Sequence, residues 1–188
     1  MALPSTRYEY RLALSHVDRG REVNEAVIVA RHPSETADHL TLRVLAYCLL
    51  NEEGLGFGPG LSDPDAADLW TKDLTGRLVT WIECGSVSAD KIRKVVLHNS
   101  GIAAHVVLQD AARAAELAVE IPAAGRLPRK GPALTLWSID RDLVRALAAK
   151  EERRQKWTVT VVGDHLYIDA DGDSVDGAAA PTLLGETA

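Results

Sequence analysis

Long apolar runs are missing from this 188-residue sequence. No stretch approaches the roughly 18 uninterrupted apolar residues of a transmembrane helix, so no membrane span and no membrane partner are expected. Residues 1–7, Met-Ala-Leu-Pro-Ser-Thr-Arg, carry no apolar run either, and no signal peptide is expected. Cysteine is scarce. Cys48 and Cys84 each fall inside an apparent regular element and have no metal-ligand spacing. They read as reduced core thiols of a cytoplasmic protein. An excess of positive charge is also lacking: 21 Lys and Arg face 27 Asp and Glu, a net charge of −6. No global basic field favours nucleic acid, so any such role must rest on a local patch. There is no internal repeat. Apolar residues make up 46 % and charged residues 26 %, the balance of a globular domain of a length that can bury one core.

Two tempting motifs fail on context. The glycine-rich stretch from Gly54 to Gly60 follows a helical pattern and precedes an acidic loop, whereas a dinucleotide fingerprint follows a strand and opens a helix. A short strand or turn is expected there. Asp169, Asp171 and Asp173 hint at a calcium loop, but the glycine and glutamate that an EF-hand requires are replaced by Ser174 and Ala180.

The chain then reads in order. Alternation from Tyr8 to His16, a turn at Asp18, Arg19 and Gly20, and a second apolar run from Val23 to Ala30 predict an N-terminal β-hairpin. Pro33 breaks the strand, and Ser34 is the expected N-cap of a helix reaching about Asn51. Apolar residues cover most of that helix. Glu35, His39 and Arg43, spaced four apart, form one polar stripe that either meets solvent or turns Glu35 toward a cleft. An acidic loop with Asp63, Asp65 and Asp68 ends at Trp70, a candidate anchor. Strands are expected at 78–84, 105–108 and 133–139. They alternate with helices capped by Ser88, Asp110 and Asp140, and a hairpin around Gly163 and Asp164 follows. Arg126, Arg129 and Lys130 form a basic loop. The expected architecture is α/β: a mixed sheet flanked by helices, with N-terminal and C-terminal β-hairpins. Residues 1–169 form one domain, and 170–188, rich in Asp, Gly and Ala, form a poorly ordered tail.

Chemistry concentrates at one strand end. Val79, Trp81 and Glu83 share a strand face, so a carboxylate closes a largely apolar row. Ligands collect at the C-terminal ends of strands in such sheets. Lys91 and Lys94 lie three apart on the helix that follows and face that end. A carboxylate met by lysines is a candidate phosphodiester or metal site; the plain alternative is a surface ion pair beside a βα turn.

Ala30-Arg-His-Pro-Ser-Glu-Thr36 resembles the signature of the YaeQ family of small bacterial proteins. Stretches at 60–63, 68–70, 73–76, 81–85 and 91–94 are similar to the same family. The resemblance implies a variant of the restriction-endonuclease-like fold, whose metal site carries a PD-(D/E)XK motif. It places Asp68 as the aspartate and Glu83 as the second acid, with Glu35 as an additional carboxylate. Gly85 stands where the motif has lysine, and Ala67 where it has proline. Lys94, or Lys91 as second choice, is expected to replace the missing lysine. Asp68, Glu83 and the Cys84 backbone carbonyl would offer Mg²⁺ three oxygens. The implied function is that of a Mg²⁺-dependent nuclease acting on a phosphodiester. The alternative is a chain that keeps the fold without the chemistry and serves as a nucleic-acid-associated or protein-binding partner.

Overall fold

The structure, a computed structural model, describes residues 5–59, 66–99, 101–125, 134–150 and 152–184. Ten strands form one mixed sheet in the order β2-β1-β8-β9-β10-β7-β6-β5-β4-β3. The N-terminal hairpin is β1 (Thr6–His16) and β2 (Arg21–Arg31). After helix α1 (Ala37–Leu49) come β3 (Gly56–Phe57) and β4 (Leu69–Lys72). The parallel unit that the sequence predicts follows: β5 (Leu78–Cys84), α2 (Ala89–His98), β6 (Ala103–Leu108), α3 (Ala111–Ala123) and β7 (Leu134–Ile139). Helix α4 (Arg141–Ala148), β8 (Arg154–Val162), β9 (His165–Ala170) and β10 (Asp173–Leu184) complete the chain. No helix among the described residues is long and apolar enough to cross a membrane.

The caps explain where the helices start. Ser88, Asp110 and Asp140 each accept backbone N–H groups at the starts of α2, α3 and α4. Each such cap contributes about 1 kcal/mol. The start of α1 differs from expectation: Thr36, not Ser34, is the N-cap and accepts the His39 N–H at 3.1 Å. Ser34 instead bonds the ring of His32. The helix therefore begins two residues late, and Glu35 sits just before it.

One sheet wraps one helix. Ten consecutive residues of α1, from Leu40 to Leu49, are buried. The apolar ones share a core with Tyr10 and Val29 near one end of the sheet and with Leu69 and Ile82 near the other. Leu143, Val144 and Leu147 of α4 join that core. Alternate residues of β5, β6 and β7 face the other way. There Trp81, Val106 and Leu136 pack under α2 and α3 with Ile92, Leu117 and Ile121. The sheet is nearly closed on α1, and Arg43 shows how nearly. Its Nη1 donates to Ala30 O on β2 at 3.2 Å, and its Nη2 donates to Gly58 O beyond β3 at 3.1 Å. Those are the two edge strands.

The segment after residue 169 corrects the expected boundary. Instead of a poorly ordered tail, β10 runs antiparallel to β9 through Asp173–Ala178 and then to β7 through Ala179–Leu184. It joins the hairpin half of the sheet to the parallel half. Its small residues made it look unstructured, yet Gly177 and Ala179 are buried where α4 crosses the strand. At Trp70, where the sequence offers an anchor, the chain forms β4, which pairs antiparallel with β5 on one side and β3 on the other. Asp63, Asp65, Arg126, Arg129 and Lys130 lie outside the described residues.

Candidate functional site

Glu35, His39, Arg43, Asp68, Glu83 and Lys91 gather at the C-terminal end of β5. Glu35 is 2 % exposed. Its Oε1 accepts His39 Nδ1–H at 2.7 Å and Arg43 Nη1–H at 3.2 Å, and its Oε2 accepts the His32 N–H at 3.1 Å. Burial pushes its pKa up, but the bond from His39 and the charge of Arg43 outweigh that and hold it below the usual range. The stripe spaced four apart at the start of α1 is therefore an ion-paired ladder turned inward, not a solvent face.

His39 connects the two halves of the site. Its Nε2 lies 3.1 Å from Cys84 O and 3.8 Å from Asp68 Oδ2. Both ring nitrogens face acceptors, an arrangement that favours the protonated ring. Burial opposes that charge, yet the bond to Glu35 and the neighbouring carboxylates prevail, and the pKa stands above the ordinary imidazole value. Asp68 Oδ2 accepts the Cys84 N–H at 2.8 Å, and Oδ1 lies 3.2 Å from Arg43 Nε. The carboxylate thus caps the end of β5 in place of a ladder partner. Gly58 makes room for this: a Cβ there would fall 2.0 Å from Ala67 O.

Glu83 is different in kind. Oε1 accepts Lys91 Nζ–H at 2.6 Å, while Oε2 is buried with no partner. Burial pushes its pKa up to about 7, and the charge of Asp68 adds to the rise against the opposing pull of Lys91. The lysine that reaches Glu83 is Lys91, in the first turn of α2. Lys94, one turn further on, is exposed, which corrects the expected order of the two. The missing motif lysine has a steric reason. Gly85 has φ +77°, and a Cβ on it would stand 3.1 Å from His39 Cδ2. The ring that bonds Cys84 O crowds any side chain at residue 85, and the positive φ strains one further.

The donor chemistry suits a hard cation, but the arrangement does not. Cys84 O is bonded by His39, Asp68 Oδ2 accepts the Cys84 N–H while Oδ1 faces the Arg43 guanidinium, and Glu83 is held by Lys91. Among the described residues no group of three His, Cys, Asp or Glu side chains is placed to hold a metal. The His39 ring stands against the oxygens that Mg²⁺ would need, so the residues as placed do not fit it. What the cluster can do is hold one near-neutral carboxyl beside an ammonium. Sequence reasoning named Glu35, Asp68, Glu83 and Cys84 but gave His39 and Arg43 no role. The signal was the four-residue spacing in an otherwise apolar helix.

A family model described as YaeQ protein matches residues 1–178. The uncharacterized YaeQ protein of Salmonella typhi is 35 % identical over 103 residues, 55 % of this chain and 57 % of that protein. The Escherichia coli K12 protein of the same description is 31 % identical over the same shares. The chain thus spans little more than half the length of the curated relatives it matches. The crystal structure of YaeQ protein from Xanthomonas axonopodis pv. citri superposes with TM-score 0.83 at 30 % identity, covering 96 % of this chain and 98 % of that one. That from Pseudomonas syringae gives 0.83 at 31 %, covering 98 % of each. With sequence motifs, family model and solved structures in agreement along the chain, the protein belongs to the YaeQ family.

Proposed function

We propose that this chain is a nuclease-like protein acting on phosphodiesters, on a variant of the restriction-endonuclease-like fold. Glu83 is its proton-transfer group, and Lys91 is the cation that meets the phosphate. The observation that carries this reading is Glu83 itself, with a pKa pushed up to about 7 and one oxygen buried without a partner. A carboxyl poised near neutrality can take a proton at working pH. Glu83 Oε2 would accept the proton of a water as its oxygen bonds to phosphorus and the bond to the leaving oxygen breaks. Lys91 offsets the charge gathering on the phosphoryl oxygens. Glu35, His39 and Arg43 are positioning residues that fix Asp68 and the Cys84 backbone. No step is routed through Mg²⁺, which would first have to displace His39.

The test is hydrolysis of single- and double-stranded DNA and RNA with Mg²⁺, Mn²⁺ or chelator, using the wild type, Glu83→Gln and Lys91→Met. Cleavage that rises with pH through 7 and falls about 100-fold or more in Glu83→Gln is the expected result. A second reading, a catalytically silent nucleic-acid-associated or protein-binding chain, has its own observation. The acids Glu35, Asp68 and Glu83 are matched by His39, Arg43 and Lys91, so the cluster closes on itself. That reading expects no cleavage under any condition and a change only in stability on mutation.

A further inference from the structure

A cleft of about 610 Å³ opens beside the N-terminal half of β5, the strand that carries Glu83 near its other end. Its wall is aromatic. Trp70 on β4 and Trp81 on β5 are direct cross-strand partners and so share one face of the sheet. Its ionisable residues are basic: Lys72, Arg77 and His98 line it, and no carboxylate does among the described residues. That is notable in a chain of net charge −6. Lys72 Nζ already lies 4.6 Å above the Trp70 ring, so cation and ring surface meet at one place. Lys72, Arg77 and His98 are all exposed. The volume is within the range of a pocket for a small organic ligand, about 300–1,000 Å³.

The cleft and the acidic cluster lie along one track. Trp81 and Glu83 are two residues apart on one strand face, about 7 Å. On the opposite wall Lys91, Val95 and His98 recur at helical spacing along one side of α2, about 10 Å from end to end. Lys91 holds Glu83, while Val95 and His98 line the cleft. Ala67 also lines the cleft and is followed at once by Asp68.

We propose that this cleft binds one nucleotide unit of a single-stranded nucleic acid. The base lies against Trp70, the half-buried ring of that wall, with Trp81 buried beneath it, and the phosphate lies among Lys72, Arg77 and His98. A base can enter such a cleft only when unpaired, and aromatic stacking beside a basic groove is the sequence-tolerant way to hold one. The next phosphodiester along the strand then reaches Lys91 and Glu83. The choice of occupant rests on the phosphodiester reading above, and it narrows the substrate to single strands.

The experiment measures binding of a short labelled oligothymidylate by fluorescence anisotropy, in the full chain carrying Glu83→Gln so that cleavage cannot interfere. Unlabelled thymidine monophosphate, inorganic phosphate and a duplex of equal length compete. Lys72→Ala and Arg77→Ala, both at exposed positions, are compared with Trp70→Leu, with circular dichroism reporting the fold. The single strand should bind and outcompete the duplex at least about tenfold. Trp70→Leu should weaken it by about fivefold or more, the smallest loss expected when one stacked base is lost. Each lysine or arginine variant should weaken binding and flatten its salt dependence. Equal binding of the duplex, competition by inorganic phosphate as strong as by the nucleotide, no binding at low salt, or affinities unchanged in all three variants would overturn the proposal. The two readings fail separately. Binding by Glu83→Gln without cleavage by the wild type sinks the catalytic role of Glu83 and keeps the cleft. Cleavage indifferent to the three cleft variants does the reverse.

Discussion

Replacing Arg43 by methionine removes the one group that touches both carboxylates on the α1 side of the site and both edges of the sheet. The guanidinium is fully buried, with Glu35 Oε1 and Asp68 Oδ1 each 3.2 Å from it. Methionine fills much of the same volume, so the loss is chiefly electrostatic and polar. Two buried carboxylates lose a cation, and breaking a buried pair of this kind costs about 3–5 kcal/mol. Ala30 O and Gly58 O also lose their donor. Against a typical total of about 5–15 kcal/mol, the variant folds poorly or only marginally. Urea unfolding followed by tryptophan fluorescence measures the loss, and hydrogen exchange at β2 and β3 reports whether the edges open. The loss must also depend on pH with a definite sign. Glu35 in the wild type has a folded pKa below its unfolded value, so its contribution is present above the unfolded pKa and lost as pH falls through the folded one. Without Arg43 that contribution shrinks. The gap between wild type and variant is therefore widest near neutrality and narrows below about pH 4. A loss under about 1 kcal/mol at neutral pH, or a gap that widens on acidification, refutes the account of Arg43 as the staple of the sheet.

Three further outcomes follow from the same geometry. Glu83 has its folded pKa raised, so its stabilising effect is complete below the unfolded value and is lost as pH rises through about 7. Between about pH 4 and 8 the wild type should lose up to about 3 kcal/mol relative to Glu83→Gln, read by urea melts at both ends; parallel curves would contradict the burial argument. Gly85→Lys, which writes the missing motif lysine back, should destabilise by about 1–3 kcal/mol in thermal melts, because φ +77° and the His39 ring both oppose a side chain. Stopping the chain after Ala170 deletes the shared partner of β7 and β9; loss of the cooperative transition by circular dichroism is expected, and a normal melt would show that β10 is dispensable.

The local grammar of the chain was legible. Alternation placed the first hairpin, apolar runs placed β5, β6 and β7, and hydroxyl and carboxylate caps placed three of the helix starts, because each rests on contacts a few residues apart. Glu83 at a strand end and Glu35 on the approach to α1 were visible as chemistry for the same reason. What the sequence could not show was closure. Strand β10 has the composition of a tail and becomes a strand only because β9 and β7 present it with two unpaired edges. Arg43 reads as a solvent position until the sheet curls round α1 and buries it between its edges. The choice of Lys91 over Lys94 depends on how α2 leaves the turn at Gly85, and the raised pKa of His39 depends on acceptors 4 and 45 residues away in the chain. Periodicity and capping are set by neighbours in sequence, and the sequence determined those by itself. Burial, ion pairing and strand edges are set by what the folded chain brings together, and only the tertiary structure decided them.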